Sequence, residues 1–313
     1  MSTVLLCDLS LAPQVVFALS APGRAIYATA RARAADFEAF RDALRLFLDA
    51  QDKPVLDGVA VAARGWEQAD GLHPIGIGFP LDRETIRELT GVQQVSFVNN
   101  FVARALAVPH LRGEARQQIH GGDRHAEHAL AVLGPHYGLG LAALVADGLG
   151  GWTALHGEGG HADMPARDEH EWRILEAIRR KDGYVMRESC ISMAGLANIH
   201  HALHTLSGVH PPDLSAPEII TLARGGDVAA RQAIATMTLW LADLASDVTL
   251  ILGAGGVYLS GAMLDLMDDL FDADLFVSRF LDKGPRSAYV RNVPVFRTRA
   301  ADLELAGLAT LFD

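Results

Sequence analysis

Two periods of hydrophobic and polar positions run along this chain, and their alternation places most of its elements. Val4 to Asp8 is a short apolar run, and Val15 to Leu19 is a second one after Pro13. The pair predicts strand, turn, strand. From Asp36 to Ala50 the side chains Phe37, Phe40, Leu44, Phe47 and Leu48 recur at helical spacing, with Asp36 placed to cap the first turn. Such a stripe predicts an amphipathic helix lying against a sheet. Val59 to Ala63 reads as a strand, Leu81 to Thr90 as a short helix opened by Asp82, and Gln94 to Val98 as a strand ending at Asn99 and Asn100. A helical pattern resumes from Phe101 to Val108 and stops at Pro109.

Arg112 to His128 is polar and predicts a connector. Beyond it, Ala129 to Leu133, Leu139 to Ala146 and Trp152 to Leu155 are apolar, with Gly134, Gly138, Gly148, Gly150 and Gly151 at the breaks. That punctuation predicts sheet strands joined by tight turns. Helical spacing dominates from Asp168 onward, interrupted by a loop from His210 to Pro217 and by the strand-like Gly256 to Ser260. Leu303, Leu305, Leu308 and Leu311 predict a final helix within Asp302 to Phe312. Strands followed by helices, twice over, predict an α/β fold of two lobes with a cleft between them.

Composition narrows the partners. The 27 Lys and Arg against 38 Asp and Glu leave a formal charge of -11, the wrong sign for a protein that neutralises phosphate backbones, so nucleic acid is not expected as a partner. No apolar run reaches the roughly 18 to 20 residues that span a bilayer. Met1 to Leu6 also lacks the basic start of a signal peptide. The expectation is a cytoplasmic protein with no membrane contact. Cys7 and Cys190 form neither a disulfide framework nor a CxxC pair and read as ordinary buried or half-buried thiols. His120, His125 and His128, and again His200, His201 and His204, invite a metal reading. Neither group has the adjacent carboxylate of an HExxH arrangement, so both read as solvated polar faces and no metal site is expected.

The segment most suggestive of chemistry is Gly157-Glu158-Gly159-Gly160-His161-Ala162-Asp163. Its glycines let backbone approach a ligand closely, while a carboxylate and an imidazole leave the same turn. A carboxylate accepts hydrogen bonds from vicinal hydroxyls and an imidazole donates or accepts, which suits a small polyhydroxylated molecule. On these residues alone, a solvated glycine-rich turn with a capping histidine stands equally open.

The order of four motifs carries more. Val98-Asn99-Asn100-Phe101 is followed by Gly134-Pro135-His136-Tyr137-Gly138-Leu139-Gly140, then by the Gly157 to Asp163 run, then by Ile191-Ser192-Met193-Ala194-Gly195-Leu196. In this order the chain resembles the bacterial glucokinase family, of the hexokinase and actin-like superfamily, over nearly its whole length. The resemblance implies a ribonuclease H-like fold of two lobes: residues 1–109 with 299–313 as a small lobe, 110–298 as a large one. It also implies ATP and magnesium as cofactors, glucose or a related hexose as substrate, formation of glucose 6-phosphate in glycolysis, and a homodimer.

Carried over one residue at a time, the resemblance divides. Asn99, Glu158, His161 and Glu188 fall at the family's sugar-binding positions. The family's general base, an Asp that takes the proton of the attacking 6-hydroxyl, is Asn100 here, and a neutral amide cannot accept that proton. The first phosphate loop, Asp-x-Gly-Gly-Thr-Asn in the family, reads Asp8-Leu9-Ser10-Leu11-Ala12-Pro13. Leucines replace open backbone, and Pro13 has no N–H to offer a phosphate. In the second loop, Gly-x-Gly-Thr-Gly-Leu-Gly, one glycine and the threonine have become His136 and Tyr137. The segment around His73-Pro74-Ile75 replaces a further small-lobe motif, Thr-Asn-x-x-Trp. What persists on the cofactor side is Gly138, Gly140, Gly261 and Asp8, the last at a position that helps to place magnesium or else merely caps its turn. Base and both loops lie in separate stretches and serve one step. The expectation is therefore a sugar-binding pseudokinase, with two alternatives: an active hexose kinase with a rearranged ATP site, or an interaction module that binds neither ligand.

Overall fold

A computed structural model describes residues 3–21, 26–68, 71–123 and 127–312. In chain order the first elements are β1 (Val4–Asp8), β2 (Gln14–Ser20), β3 (Ile26–Arg33), α1 (Phe37–Asp49), β4 (Gly58–Ala63), β5 (Gly65–Gln68), β6 (Gly71–Pro74), α2 (Arg83–Thr90), β7 (Val95–Asn99) and α3 (Asn100–Ala107). There follow β8 (Arg116–His120), β9 (Leu130–Pro135), β10 (Leu139–Ala146), β11 (Trp152–His156), α4 (Glu169–Asp182), α5 (Met193–Leu206), α6 (Ala216–Arg224) and α7 (Val228–Leu252). The chain ends with β12 (Gly256–Leu259), α8 (Ala262–Leu266), α9 (Ala273–Leu281), α10 (Ser287–Val290), β13 (Val295–Thr298) and α11 (Leu303–Ala309). The chain divides into two compact units, Met1–Ala115 with Ala154–His156 and Ala300–Asp313, and Arg116–Thr153 with Gly157–Arg299.

The first unit is built on a five-stranded sheet of order β3-β2-β1-β4-β7. Successive side chains of β1 enter different cores, as the period of two requires. Leu5 and Cys7 join Phe17, Phe40, Leu44 and Phe47 of β2 and α1. Val4 and Leu6 join Ala60, Ala103, Leu305 and Leu308 on the other face, under α3 and α11. A strand covered on both faces reads as a continuous apolar run, which is why β1 is so plain in the sequence. Asp36 accepts the Ala39 N–H and Asp82 the Thr85 N–H, both at 2.8 Å, so both expected caps are in place. Gly307 is where α11 meets α3: a Cβ there would stand 1.7 Å from the Ala103 carbonyl oxygen.

The second unit carries a six-stranded sheet of order β11-β10-β9-β12-β13-β8. Here the expected connector from Arg112 to His128 is corrected: it contains β8, an edge strand antiparallel to β13. Its sequence Arg-Gln-Gln-Ile-His is mostly polar because an edge strand pairs on one side only and meets solvent, so apolar patterning is blind to it. Among the described residues, β3, β5, β6 and β13 also lie outside the expected elements.

The expectation that no segment has the apolar length of a membrane span is corrected as well. An 18-residue window of α7 has a mean hydropathy of 1.4, and 72% of it is buried in the protein core. Trp240, Leu241 and Ala245 are wholly buried there, while Asp243 and Asp247 break the apolar run and take ion pairs with Arg279 and Lys283. A helix apolar nearly all round is what the centre of a large domain requires.

Cys7 and Cys190 are both buried free thiols, and burial pushes both thiols up. The expected solvated face at His200 is corrected: its ring is buried, tilted at 51° to that of His204 one turn on along α5, with centroids 4.4 Å apart. Among the described residues no three His, Cys, Asp or Glu side chains stand close enough to share a metal ion, and His125 lies outside them.

Candidate active site

The glycine-rich run folds as a single 3-10 turn, Gly159–His161, laid on β10. A Cβ at Gly160 would lie 2.5 Å from the Leu139 carbonyl oxygen, so only glycine permits this contact. His161 Nε2 stands 3.6 Å from Glu158 Oε2, too far for a direct hydrogen bond. Its Nδ1 lies 3.0 Å from the Met186 sulfur.

A second segment runs alongside. Met164 N–H donates to the Val185 carbonyl at 3.2 Å and Arg187 N–H to the Ala162 carbonyl at 2.9 Å. Asp163 and Met186 form an isolated antiparallel bridge, and the Tyr184 hydroxyl donates to Asp163. These bonds place the 3-10 turn Arg187–Ser189, and Glu188 with it, beside the turn that carries Glu158 and His161. The Arg187 guanidinium anchors the turn to Asp247 of α7 at 3.0 Å, and Lys283 holds the other Asp247 oxygen at 2.5 Å. Glu188 Oε2 accepts the Leu139 N–H at 2.8 Å. Three expected sugar-side residues thus share two stitched segments of one unit.

Asn99 belongs to the other unit, at the end of β7. Its Oδ1 accepts the Phe101 N–H at 2.8 Å as the cap of α3, and its Nδ2 donates to the Gly65 carbonyl at 2.6 Å, tying β5 to β7. Asn100 is the first residue of α3, 5% exposed, and its side-chain amide makes no hydrogen bond among the described residues.

The first loop, between β1 and β2, closes on itself. Leu9 N–H donates to the Ala62 carbonyl, Ala12 N–H to the Leu9 carbonyl and Gln14 N–H to the Leu11 carbonyl, at 2.8, 3.1 and 3.0 Å. Ser10 gives both its N–H and its hydroxyl to Asp8 Oδ1. Burial, with the Glu304 carboxylate nearby, pushes Asp8 up to about 7, against the Ser10 hydrogen bonds and the attraction of Arg104. Arg104 pairs with Glu304 at 2.8 Å.

The second loop is the tip of the β9–β10 hairpin. His136 N–H donates to the Gly138 carbonyl at 2.7 Å, and Tyr137 N–H to His136 Nδ1 at 2.8 Å. His136 is buried and Tyr137 half exposed. Packing accounts for the glycines of this region. A Cβ at Gly134 would stand 2.0 Å from the Ser260 carbonyl oxygen, one at Gly261 2.2 Å from that of Pro135, and one at Gly138 2.4 Å from Glu188 Oε2. Gly140 pairs with Gly134 across the hairpin.

Sequence reasoning missed Met186, Tyr184 and the Arg187–Asp247 anchor. No local pattern marks them, because each acts through a partner more than 20 residues away.

The family model described as Glucokinase matches residues 14–313. A "Glucokinase-like protein" of Caulobacter vibrioides is 36% identical over 259 residues, covering 82% of this chain and 80% of its own. A glucokinase of Paramagnetospirillum magneticum is 35% identical over 281 residues, covering 81% and 87%. Among solved structures, a glucokinase from an Antarctic psychrotroph superposes with a TM-score of 0.87 at 27% identity, over 99% of this chain and 98% of its own. The chain belongs to the glucokinase family and has its two-lobed hexokinase and actin-like fold.

Proposed function

We propose that this glucokinase-family protein binds glucose or a related hexose through Glu158, His161 and Glu188, and that it no longer transfers a phosphoryl group from ATP. The family resemblance adds Asn99 as a fourth sugar residue. Its second amide hydrogen and remaining oxygen lone pair stay available after the cap and the Gly65 bond are made. The same reading takes 1–109 with 299–313 as the small lobe, 110–298 as the large one, and a homodimer as the assembly.

The observation that carries the loss of transfer is the inward bonding of the first loop. A triphosphate is held by backbone N–H groups that point outward, yet those of Leu9, Ser10, Ala12 and Gln14 all have partners inside the protein, and Pro13 has none to give. Members of the family generally use ATP with magnesium, and the residues of this loop do not suit that group. Asp8, the carboxylate that would help to place the metal, is turned onto Ser10 instead. In the second loop, Tyr137 and buried His136 stand where the family has threonine and glycine, and the Tyr137 N–H is spent on His136. Asn100 cannot take a proton from the 6-hydroxyl, a loss worth about 10²- to 10⁴-fold in rate where everything else is in place.

A second reading, an active hexose kinase with a rearranged ATP site, is favoured by the match to the glucokinase family over residues 14–313. Calorimetric titration separates the two: glucose should bind with modest affinity and ATP with magnesium poorly. Tight, magnesium-dependent ATP binding would favour the active kinase.

A further inference from the structure

We infer that Met186 is a positioning residue that fixes the tautomer of His161 and thereby keeps the Glu158–His161 pair open for a vicinal diol. The inference rests on the reading of His161 as a sugar ligand.

The chemistry follows from what a thioether can do. Sulfur bonded to two carbons carries no hydrogen, so it can only accept, and the Nδ1···Sδ contact of 3.0 Å requires the proton on Nδ1. In the neutral ring Nε2 then bears a lone pair. That lone pair faces the Glu158 carboxylate, 3.6 Å away, so two acceptors stand side by side with no proton between them. Neither satisfies the other. Two adjacent hydroxyls supply two donors, one for each acceptor, and that is the pattern of a pyranose edge.

The opposite tautomer would undo this. With the proton on Nε2, a shift of about half an ångström from the observed 3.6 Å would let the ring donate to Glu158, and the pair would then satisfy itself and compete with the sugar. Nδ1 would then turn a lone pair toward the Met186 sulfur, two acceptors in contact. The backbone that carries Met186 is held in place: Asp163 bridges Met186, and the next residue, Arg187, bonds the Ala162 carbonyl and is anchored to Asp247. Met186 therefore reaches the ring from a backbone stitched to the segment that bears His161.

Two substitutions isolate the sulfur. Met186→Leu keeps the volume and removes the acceptor, a swap that cores usually tolerate. Met186→Gln restores an acceptor oxygen at similar length. Nitrogen-15 NMR of the His161 ring, assigned by its disappearance in His161→Gln, reads the tautomer with no sugar present. The expected result is Nδ1–H in the wild type, a shift toward Nε2–H in Met186→Leu, and return to Nδ1–H in Met186→Gln. An Nε2–H ring in the wild type, or no change in Met186→Leu, overturns the inference whatever glucose does. Calorimetry should show glucose binding weakened about 3- to 10-fold in Met186→Leu and recovered in Met186→Gln. Unchanged affinity in Met186→Leu beside a weakened His161→Gln would overturn the positioning role and leave the sugar site standing. A wild type that binds no glucose would instead remove the sugar reading, and the NMR comparison would still decide what Met186 does.

Discussion

Asp8 and Ser10 close the first loop between them: one carboxylate oxygen of Asp8 accepts both the backbone N–H and the hydroxyl of Ser10. A carboxylate in that geometry faces its own turn, and the turn it closes is the one that would meet a phosphate.

The position of Asp8 has a pH signature. Its pKa is raised in the folded protein to about 7 from an ordinary value of 3.8, chiefly by burial and then by Glu304. The folded state therefore binds this proton more tightly than the unfolded chain. Its contribution to stability is full below the ordinary value and is lost as pH rises through about 7. Asp8→Asn, which stays neutral and can still accept from Ser10, should be more stable than the wild type at pH 8, on the order of 2 kcal/mol. At pH 4 the two should melt together. Thermal scans at both pH values check this, and an Asp8→Asn protein less stable at pH 8 would contradict it.

Glu158→Gln should weaken glucose binding roughly 10- to 100-fold, the worth of a hydrogen bond to a charged group. Asp163→Asn should change it little, because Asp163 spends its carboxylate on the Tyr184 hydroxyl and an amide oxygen can take over that bond. Calorimetric titration of the two variants, after their unliganded melting temperatures are shown to agree, measures the difference. Equal losses would move the sugar away from Glu158.

Gly261→Ala should cost at least about 3 kcal/mol, since the backbone sits at φ +151° and the new Cβ would meet the Pro135 carbonyl oxygen, a backbone atom that cannot step aside. Gly148→Ala, at φ +76° but facing open space, should cost only about 1 kcal/mol. Chemical denaturation compares them. Similar values would mean that the β9–β12 contact yields more readily than its geometry suggests.

How much could be read from the sequence depends on where each element meets water. β1, β4 and β9 are buried on both faces and announce themselves as apolar runs, and α1 and α2 carry caps at their starts. β3 alternates half-buried with exposed positions along Ile-Tyr-Ala-Thr-Ala-Arg-Ala-Arg, and β8 is polar, so edge strands left little hydrophobic trace. At the site, Gly160 was legible because its close approach to the Leu139 carbonyl demands glycine. The stitching of that turn to residues 184–190 was not, because Arg187 to Ala162 and Tyr184 to Asp163 are long-range bonds with no periodic signature.

The central claim concerns transfer, and Asn100→Asp tests it most directly, because it restores a carboxylate at the family's base position. Were the missing base the sole defect, this change would raise the rate by about 10²-fold or more. The loops argue otherwise. Transfer also needs preorganised donors around the moving phosphoryl group, each worth about 10²- to 10³-fold, and those of Leu9, Ser10, Ala12 and Gln14 are committed inside the protein. A coupled assay for glucose 6-phosphate, run on the wild type and on Asn100→Asp with glucose, ATP and magnesium, should find no appreciable product with either protein. Strong activity in Asn100→Asp would mean that ATP is held despite the closed first loop, and would contradict the account.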